Sequence, residues 1–160
     1  MSENGESPIS DLEREFIDEQ KGEGALSLNI SDGSEKSYLG YDLNLEDVEA
    51  LYFDGIGVPR WESLEGTTVE QKTALYWERF NDRMDKYPLI GRTRDTDEKV
   101  EYTSDEMPSL SLECEQVSSG TSNAKALRAA QKISLAAERA ASKQAGLVLT
   151  PTQSLDPWRA

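Results

Sequence analysis

The side chains that most often carry out chemistry are scarce in this sequence. It has no histidine and a single cysteine, Cys114, so the commonest general base and the usual ligands of a structural zinc ion are missing. The glycine-rich loops that bind nucleotides and the Gly-x-Ser-x-Gly turn of hydrolases do not occur. Asp95 and Asp97 have the chemistry to contact a hard cation, but solvated loop carboxylates are the simpler interpretation. We therefore expect a protein that is not an enzyme and binds no metal or cofactor.

Charge is distributed unevenly along the 160 residues, whose net charge is −14. Residues 1–120 contain 29 acidic and 11 basic side chains, whereas residues 121–160 contain 2 and 6. Such a division indicates an acidic region and a basic interaction surface. Leu, Ile, Val and Phe make up 20% of the chain, which at this net charge predicts a folded part beside a disordered one.

The sequence also bears on location. The polar start MSENGESPIS has no resemblance to a secretory signal, and no apolar run approaches the ~20 residues of a membrane span. A single cysteine suits a reducing compartment. We expect a cytoplasmic protein without a membrane partner.

Residues 1–42, with 11 acids against 3 bases, predict an acidic and largely disordered tail. The segment SDLEREFIDEQ is a local exception. Ser10 and Glu13 form a capping box, and Leu12, Phe16 and Ile17 share one helical side. This segment is either a transient helical turn or a short docking motif that folds on a partner.

Residues 43–146 predict one helical oligomerisation domain. A first helix over 44–54 starts at Asn44, and Pro59 suits the start of a short second helix carrying Trp61 and Leu64. Read as a helix-turn-helix, this pair makes Arg60 a DNA-reading residue. The alternative is ordinary helical packing with Trp61 in the core.

A longer helix over 67–87 begins with the capping box of Thr67 and Glu70 and ends before Pro88. Its apolar residues form one stripe, which predicts core or helix–helix packing, with a ligand-binding surface as the alternative: Val69, Tyr76, Trp77, Phe80, Met84 and Tyr87. Residues 98–117 then alternate apolar and polar side chains around a turn-like TSDEMPS, which predicts a β-hairpin or a strand-like excursion with Cys114 buried.

The stretch NAKALRAAQKISLAAERAASKQAG predicts a basic helix over 124–145. A basic strip occupies one side, formed by Lys125, Arg128, Lys132, Arg139 and Lys143. A small apolar stripe occupies another, formed by Ala126, Ala130, Ile133, Ala137, Ala140 and Ala141. Three interpretations of the basic strip stay open. It binds nucleic-acid phosphates, it packs on acidic helices of the same or a neighbouring chain, or it is simply a solvated surface. Gly146 is expected to end the helix before a C-terminal tail over 147–160, where Trp158 and Arg159 form a docking anchor or a frayed end.

These pieces resemble the phage terminase small subunit of the P27-like family over about residues 61–151. The resemblance lies in WESLEGTTVEQKTALYWERFNDRMDKY, in the excursion KVEYTSDEMPSLSLECEQ, in the alanine-rich helix after Asn123, and in the GLVLTP segment (146–151). The family implies a mainly helical, non-catalytic protomer with long antiparallel helices, which assembles into a homo-oligomeric ring. Such a ring recognises double-stranded viral DNA in the host cell cytoplasm and recruits or regulates the large terminase subunit.

If the family assignment holds, the helices at 67–87 and 124–145 form the ring. Arg60 and the basic strip would then bind DNA, and the C-terminal tail would bind the large subunit. The candidate oligomer or core residues are Trp61, Tyr76, Trp77, Phe80, Met84, Ala130, Ile133 and Ala137. The alternative function is an acidic protein-interaction adaptor, scaffold or DNA-mimic inhibitor, because a strongly negative surface repels DNA and attracts basic partners. The acidic tail is also a candidate to fold over the basic helix.

Overall fold

The computed structural model describes residues 14–17, 26–31, 36–94 and 98–151. After a helical segment over 14–17, strands β1 (Leu26–Ser31) and β2 (Lys36–Leu43) precede helix α1 (Leu45–Ala50), which continues as a π-helical turn (Leu51–Ile56). A 3-10 turn (Trp61–Ser63) leads to α2 (Val69–Lys86), and another (Ile90–Arg94) leads to β3 (Val100–Tyr102). A third 3-10 turn (Ser104–Glu106) precedes α3 (Met107–Gly120), α4 (Ala124–Ser142) and β4 (Gly146–Pro151).

The strands form one antiparallel sheet in the order β2–β1–β4–β3. Its core face is lined by alternating aliphatic side chains of β1 and β4, including Leu28 and its register partner Leu149. Helix α4 packs on these strands and on neighbouring helices. Seven of its side chains, nearly all of them alanine, are fully buried: Ala126, Ala129, Ala130, Ile133, Ala136, Ala137 and Ala140. Helices α1 and α3 pack against α4 in turn.

The prediction of a mainly helical protein is confirmed at that coarse level, and the apolar stripe of α4 is buried as expected except for Ala141, which is exposed. Two predicted tails are wrong in part. Strand β1 and nearly all of β2 (Lys36–Leu43) lie in the predicted N-terminal tail over 1–42, and β4 (Gly146–Pro151), a central strand, covers the start of the predicted C-terminal tail over 147–160. These strands gain their stability from partners far away in the chain, since Leu26 pairs with Pro151, and a local reading of composition does not detect such pairing.

The predicted β-hairpin over 98–117 is also wrong in its second arm. Residues 100–102 do form a strand, but 107–120 form α3. The alternation that predicted a strand included Leu112, whose side chain is 55% exposed. The buried positions instead follow helical spacing, namely Met107, Leu110, Cys114 and Val117, and Pro108 stands at the helix start, where a missing N–H costs nothing.

Helix α2 lies at the edge of the domain. It starts one residue later than predicted, with a capping box between Thr68 and Gln71. None of its 18 residues is buried, and it does not pack along α4, so the predicted pairing of long antiparallel helices is not confirmed within this chain. Across the described ranges, no helix is both long enough and apolar enough to cross a membrane.

The junction between α4 and β4 yields a stability prediction. A Cβ atom at Gly146 would collide with the backbone oxygen of Tyr102 on β3, so we expect Gly146→Ala to lower the free energy of unfolding by about 1–3 kcal/mol. Gly120, the last residue of α3, has nothing within 4 Å of such an atom. Gly120→Ala should therefore leave stability unchanged or raise it by up to about 1 kcal/mol. Urea unfolding followed by circular dichroism measures both, and equal stabilities of the two variants would contradict the close strand approach.

Candidate interaction surfaces

Lys132 of the predicted basic strip is buried. Its side chain is 3% exposed, and its ammonium donates hydrogen bonds to the Asp47 carboxylate at 2.9 Å and to the Asp42 backbone oxygen at 2.8 Å. Asp47 also belongs to the capping box of α1, where it exchanges hydrogen bonds with Asn44. Lys132 is therefore not available to DNA, because its charge ties α4 to α1 and to the end of β2.

Asp42 extends this buried polar network towards the surface. The Tyr38 hydroxyl donates a hydrogen bond of 2.7 Å to its carboxylate. Burial raises the pKa of Asp42 above its usual value, while the bond from Tyr38 and the charge of Lys132 act in the opposite direction. Burial, followed by the contact with Asp42, also raises the pKa of Tyr38. The Tyr38 proton is thus retained as the donor at any pH near neutrality.

The next members of the strip also have partners in the chain. Lys125 forms an ion pair with Glu46 on α1, which lowers the pKa of Glu46 and raises that of Lys125. The Arg128 guanidinium lies 4.9 Å from the centre of the Phe16 ring. Arg139 and Lys143, at the other end of α4, also interact with neighbouring groups. For Lys125 and Lys132, the strip packs on an acidic helix of its own chain, which was one of the three interpretations open from sequence.

Arg60 does not stand on a recognition helix. The second helix expected from Pro59 is only a single 3-10 turn over Trp61–Ser63, and the backbone is extended again at Leu64. The Arg60 guanidinium lies 3.7 Å from the Asp54 carboxylate and 4.3 Å from the centre of the Phe53 ring. The geometry of a helix-turn-helix reader is absent from this part of the chain.

An exposed aromatic surface lies where α2 meets the 3-10 turn before it. We define it as Trp61, Tyr76, Trp77 and Phe80. Tyr76 is central, with its ring centre 6.4 Å from that of Trp61, 5.4 Å from that of Trp77 and 6.0 Å from that of Phe80. Trp77 also packs edge-on against Phe80, with ring centres 5.2 Å apart. The four rings form a continuous patch in the geometry that aromatic pairs prefer.

The predicted core role is therefore wrong for both tryptophans of this surface, since Trp61 is 40% and Trp77 is 53% exposed. Tyr76, Phe80 and Met84 are partly buried against the core. Arg83 holds the C-terminal half of α2 in place, because its Nε donates a hydrogen bond of 2.6 Å to the Ile56 oxygen. The apolar stripe of α2 is wider than the area of α2 that contacts the core. One edge of the stripe therefore packs on the core and the other edge is exposed to solvent.

Glu113 is a buried residue that the sequence analysis did not identify. Its carboxylate accepts hydrogen bonds from the backbone N–H groups of Leu89 and Ile90, the shortest at 2.8 Å. Burial raises the pKa of Glu113, against the lowering effect of these bonds. Its position beside the buried Leu110 and Cys114 on one helical face was the available signal. The residue joins the segment after α2 to α3.

The remaining candidate residues from the sequence do not form a catalytic or metal-binding site among the described residues. Cys114 is fully buried, and burial raises the pKa of its thiol, which suits a packing role. Among the described residues, no three acidic or cysteine side chains come together as a metal site. Asp95, Asp97, Trp158 and Arg159 lie outside the described residues. Comparison with protein-family models, with curated proteins and with solved structures finds no match for this chain.

The two ion pairs of the basic strip predict different stability effects. Lys132→Met leaves the buried Asp47 carboxylate without its partner, and we expect a loss of about 3–5 kcal/mol in the free energy of unfolding. Lys125→Met removes a solvent-exposed pair on the same helix and is the matched control, for which we expect a much smaller change. Urea denaturation of the two variants in parallel measures both changes in the free energy of unfolding. Equal, small losses would show that the Lys132 pair is not an essential tie between α4 and α1.

Proposed function

We propose that this protein is an acidic, non-catalytic interaction module, an adaptor or scaffold, that binds a partner protein through the aromatic surface. The observation that carries this proposal is the exposure of Trp77 on a peripheral helix with no buried residue, and of Trp61 on the 3-10 turn before that helix. Large aromatic side chains in a contiguous surface patch are typical of binding sites, and tryptophan is among the residues that contribute most to interface energy.

The net charge of the protein indicates which kind of partner would bind the aromatic surface. The chain has a net charge of −14, and the members of the basic strip interact within it, as with Glu46 and Asp47. The long-range field of the protein therefore attracts basic surfaces and repels nucleic-acid phosphates. Lys72, whose ammonium lies 5.5 Å from the Trp61 ring, adds a local positive charge at the rim of the aromatic surface. A basic partner with an apolar ridge matches this combination.

Peptide display on the full-length protein tests the proposal. Peptides selected on the wild-type protein should share apolar residues and net positive charge. Trp77→Ala should weaken their binding at least tenfold, because a hot-spot side chain contributes about 2 kcal/mol or more. The matched control is Leu112→Ala, which removes a comparably exposed apolar side chain on α3. Selected peptides that bind the Trp77→Ala variant as well as the wild type would overturn the proposed site.

A second candidate is the ring-forming terminase small subunit that the sequence resembles. It is favoured by the peripheral position of α2, one of the two helices that build the ring in that family, since its outer edge is open to a neighbouring subunit. Recognition of viral DNA and recruitment of the large terminase subunit follow only from this resemblance. DNA contacts would have to come from residues other than Lys132.

Light scattering after size exclusion, at low and moderate salt, separates the two candidates. A monodisperse assembly of many subunits with salt-sensitive binding to double-stranded DNA supports the terminase-like function. A monomer or dimer that does not bind DNA supports the interaction module. In the first case, Arg139→Ala should weaken DNA binding, and a variant that binds as tightly as the wild type would remove the basic strip from consideration.

A further inference from the structure

We infer that the cavity between α2 and α3 binds an acidic peptide segment of a partner protein, in which a carboxylate side chain neighbours an aliphatic one. The cavity has a volume of about 670 Å³, which lies within the range of about 300–1,000 Å³ that is usual for ligand sites. We call it the α2–α3 cavity. Six of the residues that line it carry the inference: Arg83, Lys86, Leu112, Gln116, Ser119 and Gly120.

The α2–α3 cavity is separate from the aromatic surface. Lys86 stands about 180° around the axis of α2 from Trp77, at 3.6 residues per turn, and none of the four residues of the aromatic surface lines the cavity. The inference therefore stands independently of the proposed function, and each surface can be tested by a variant of its own.

The wall of the cavity on α2 is positively charged. Neither Arg83 nor Lys86 lies within 4 Å of a carboxylate oxygen of the described residues. Arg83 donates one N–H, at Nε, to the Ile56 oxygen, and both cations lie 5.6 Å from the centre of the Tyr87 ring. These contacts do not neutralise either charge. In a chain with 31 acidic side chains, both cations thus still have the capacity to pair with an anion.

The opposite wall, on α3, offers an apolar side chain and hydrogen-bond acceptors. Leu112 is 55% exposed and lies off the buried face of α3, so its side chain is accessible to a ligand. Gln116 and Ser119 stand about one and two turns further along the helix and can accept hydrogen bonds from peptide N–H groups. Glu115 also lines the cavity, as one acid against two cations, and is a further acceptor. The two walls together suit a peptide with a carboxylate towards α2 and an aliphatic side chain towards Leu112.

Contacts around the cavity hold its walls in place. A Cβ atom at Gly120 would meet no atom within 4 Å, so the missing side chain leaves room at this end of the cavity. Gly55 packs so closely on α3 that a Cβ atom there would stand 2.9 Å from the Val117 Cγ1 atom. Arg83 bonds to Ile56 of the same π-helical turn. The turn therefore connects α2 to α3, and a preformed site loses less entropy on binding.

A peptide fits the charge of the chain better than a nucleic acid does. The net charge of −14 repels a polymer that carries a phosphate at every nucleotide. Charges more than about 8 Å apart are largely screened at physiological ionic strength, so a single carboxylate at Arg83 and Lys86 responds chiefly to these two cations. The exposed Leu112 matches an aliphatic side chain and has no counterpart on a phosphate backbone.

The experiment uses the full-length chain and the fluorescein-labelled peptide Gly-Ser-Leu-Glu-Leu-Ser-Gly, with anisotropy as the readout. Lys86→Gln should weaken binding about tenfold, because it removes a charge-assisted hydrogen bond. The matched control is Lys72→Gln, which removes a cation of the same helix outside the cavity and should bind as the wild type does. A peptide with glutamine in place of glutamate should also bind about tenfold more weakly. Equal titrations of the two variants, or no binding to the wild type, would contradict the inference.

A cavity-filling variant tests where the peptide binds. Gly120→Leu places a side chain in open space, so it should keep the fold, as judged by circular dichroism, and abolish peptide binding. If it does not fold, the comparison of Lys86→Gln with Lys72→Gln decides alone. Trp77→Ala should leave the binding of this peptide unchanged. Binding that survives in a folded Gly120→Leu, or that Trp77→Ala removes, places the peptide elsewhere and overturns the inference.

Two further measurements address other occupants of the cavity. A single-stranded oligonucleotide should not displace the peptide at equal concentration, and displacement would identify a nucleic-acid ligand instead. Light scattering should give the same mass for the wild type and Gly120→Leu. A dimer that this variant converts to a monomer would mean that a second copy of the chain fills the cavity. Either contrary result overturns the assignment to a partner peptide.

Discussion

The packing of α4 against the sheet is the contact on which the other elements depend. Its buried side chains are almost all alanine, and such small side chains allow neighbouring elements to pack close to the helix. Each alanine contributes little apolar area, at about 25 cal/mol per Å², so the contact depends on its length and on a continuous surface of strands beneath it. That surface exists only when β4 inserts between β1 and β3. The N-terminal strands and the C-terminal strand are thus parts of one folding unit.

The charge of α4 is explained by the same arrangement. Since α1 packs beside α4, its acidic side chains lie opposite the basic strip, and Lys132 meets Asp47 in the interior. A buried ion pair contributes more to the specificity of an arrangement than to its net stability, because desolvation offsets much of the attraction. In this protein it fixes the register of α1 on α4, while Lys125 and Glu46 repeat the pairing at the surface. A basic helix in an acidic chain is here an internal partner for acidic neighbours.

The aromatic surface proposed for a partner lies at the edge of the domain, away from this contact. The aromatic surface of α2 faces solvent because that helix contacts the domain through only part of its apolar stripe. The overall negative charge suits a basic partner for this surface.

The sequence by itself determined the features that depend only on neighbouring residues. The capping residue Asn44, the strand at 100–102, the buried alanine stripe and the strip of five cations follow from side-chain type and spacing. The sequence also identified Phe16 and Ile17 as a candidate docking motif, without indicating what they dock on. Tertiary structure decided the rest. Whether Trp77 is core or surface, whether Lys132 meets DNA or Asp47, and whether residues 146–151 are a tail or a central strand all depend on which distant segment lies opposite. The physical reason is that burial and pairing are properties of two surfaces in contact, whereas periodicity describes only one of them.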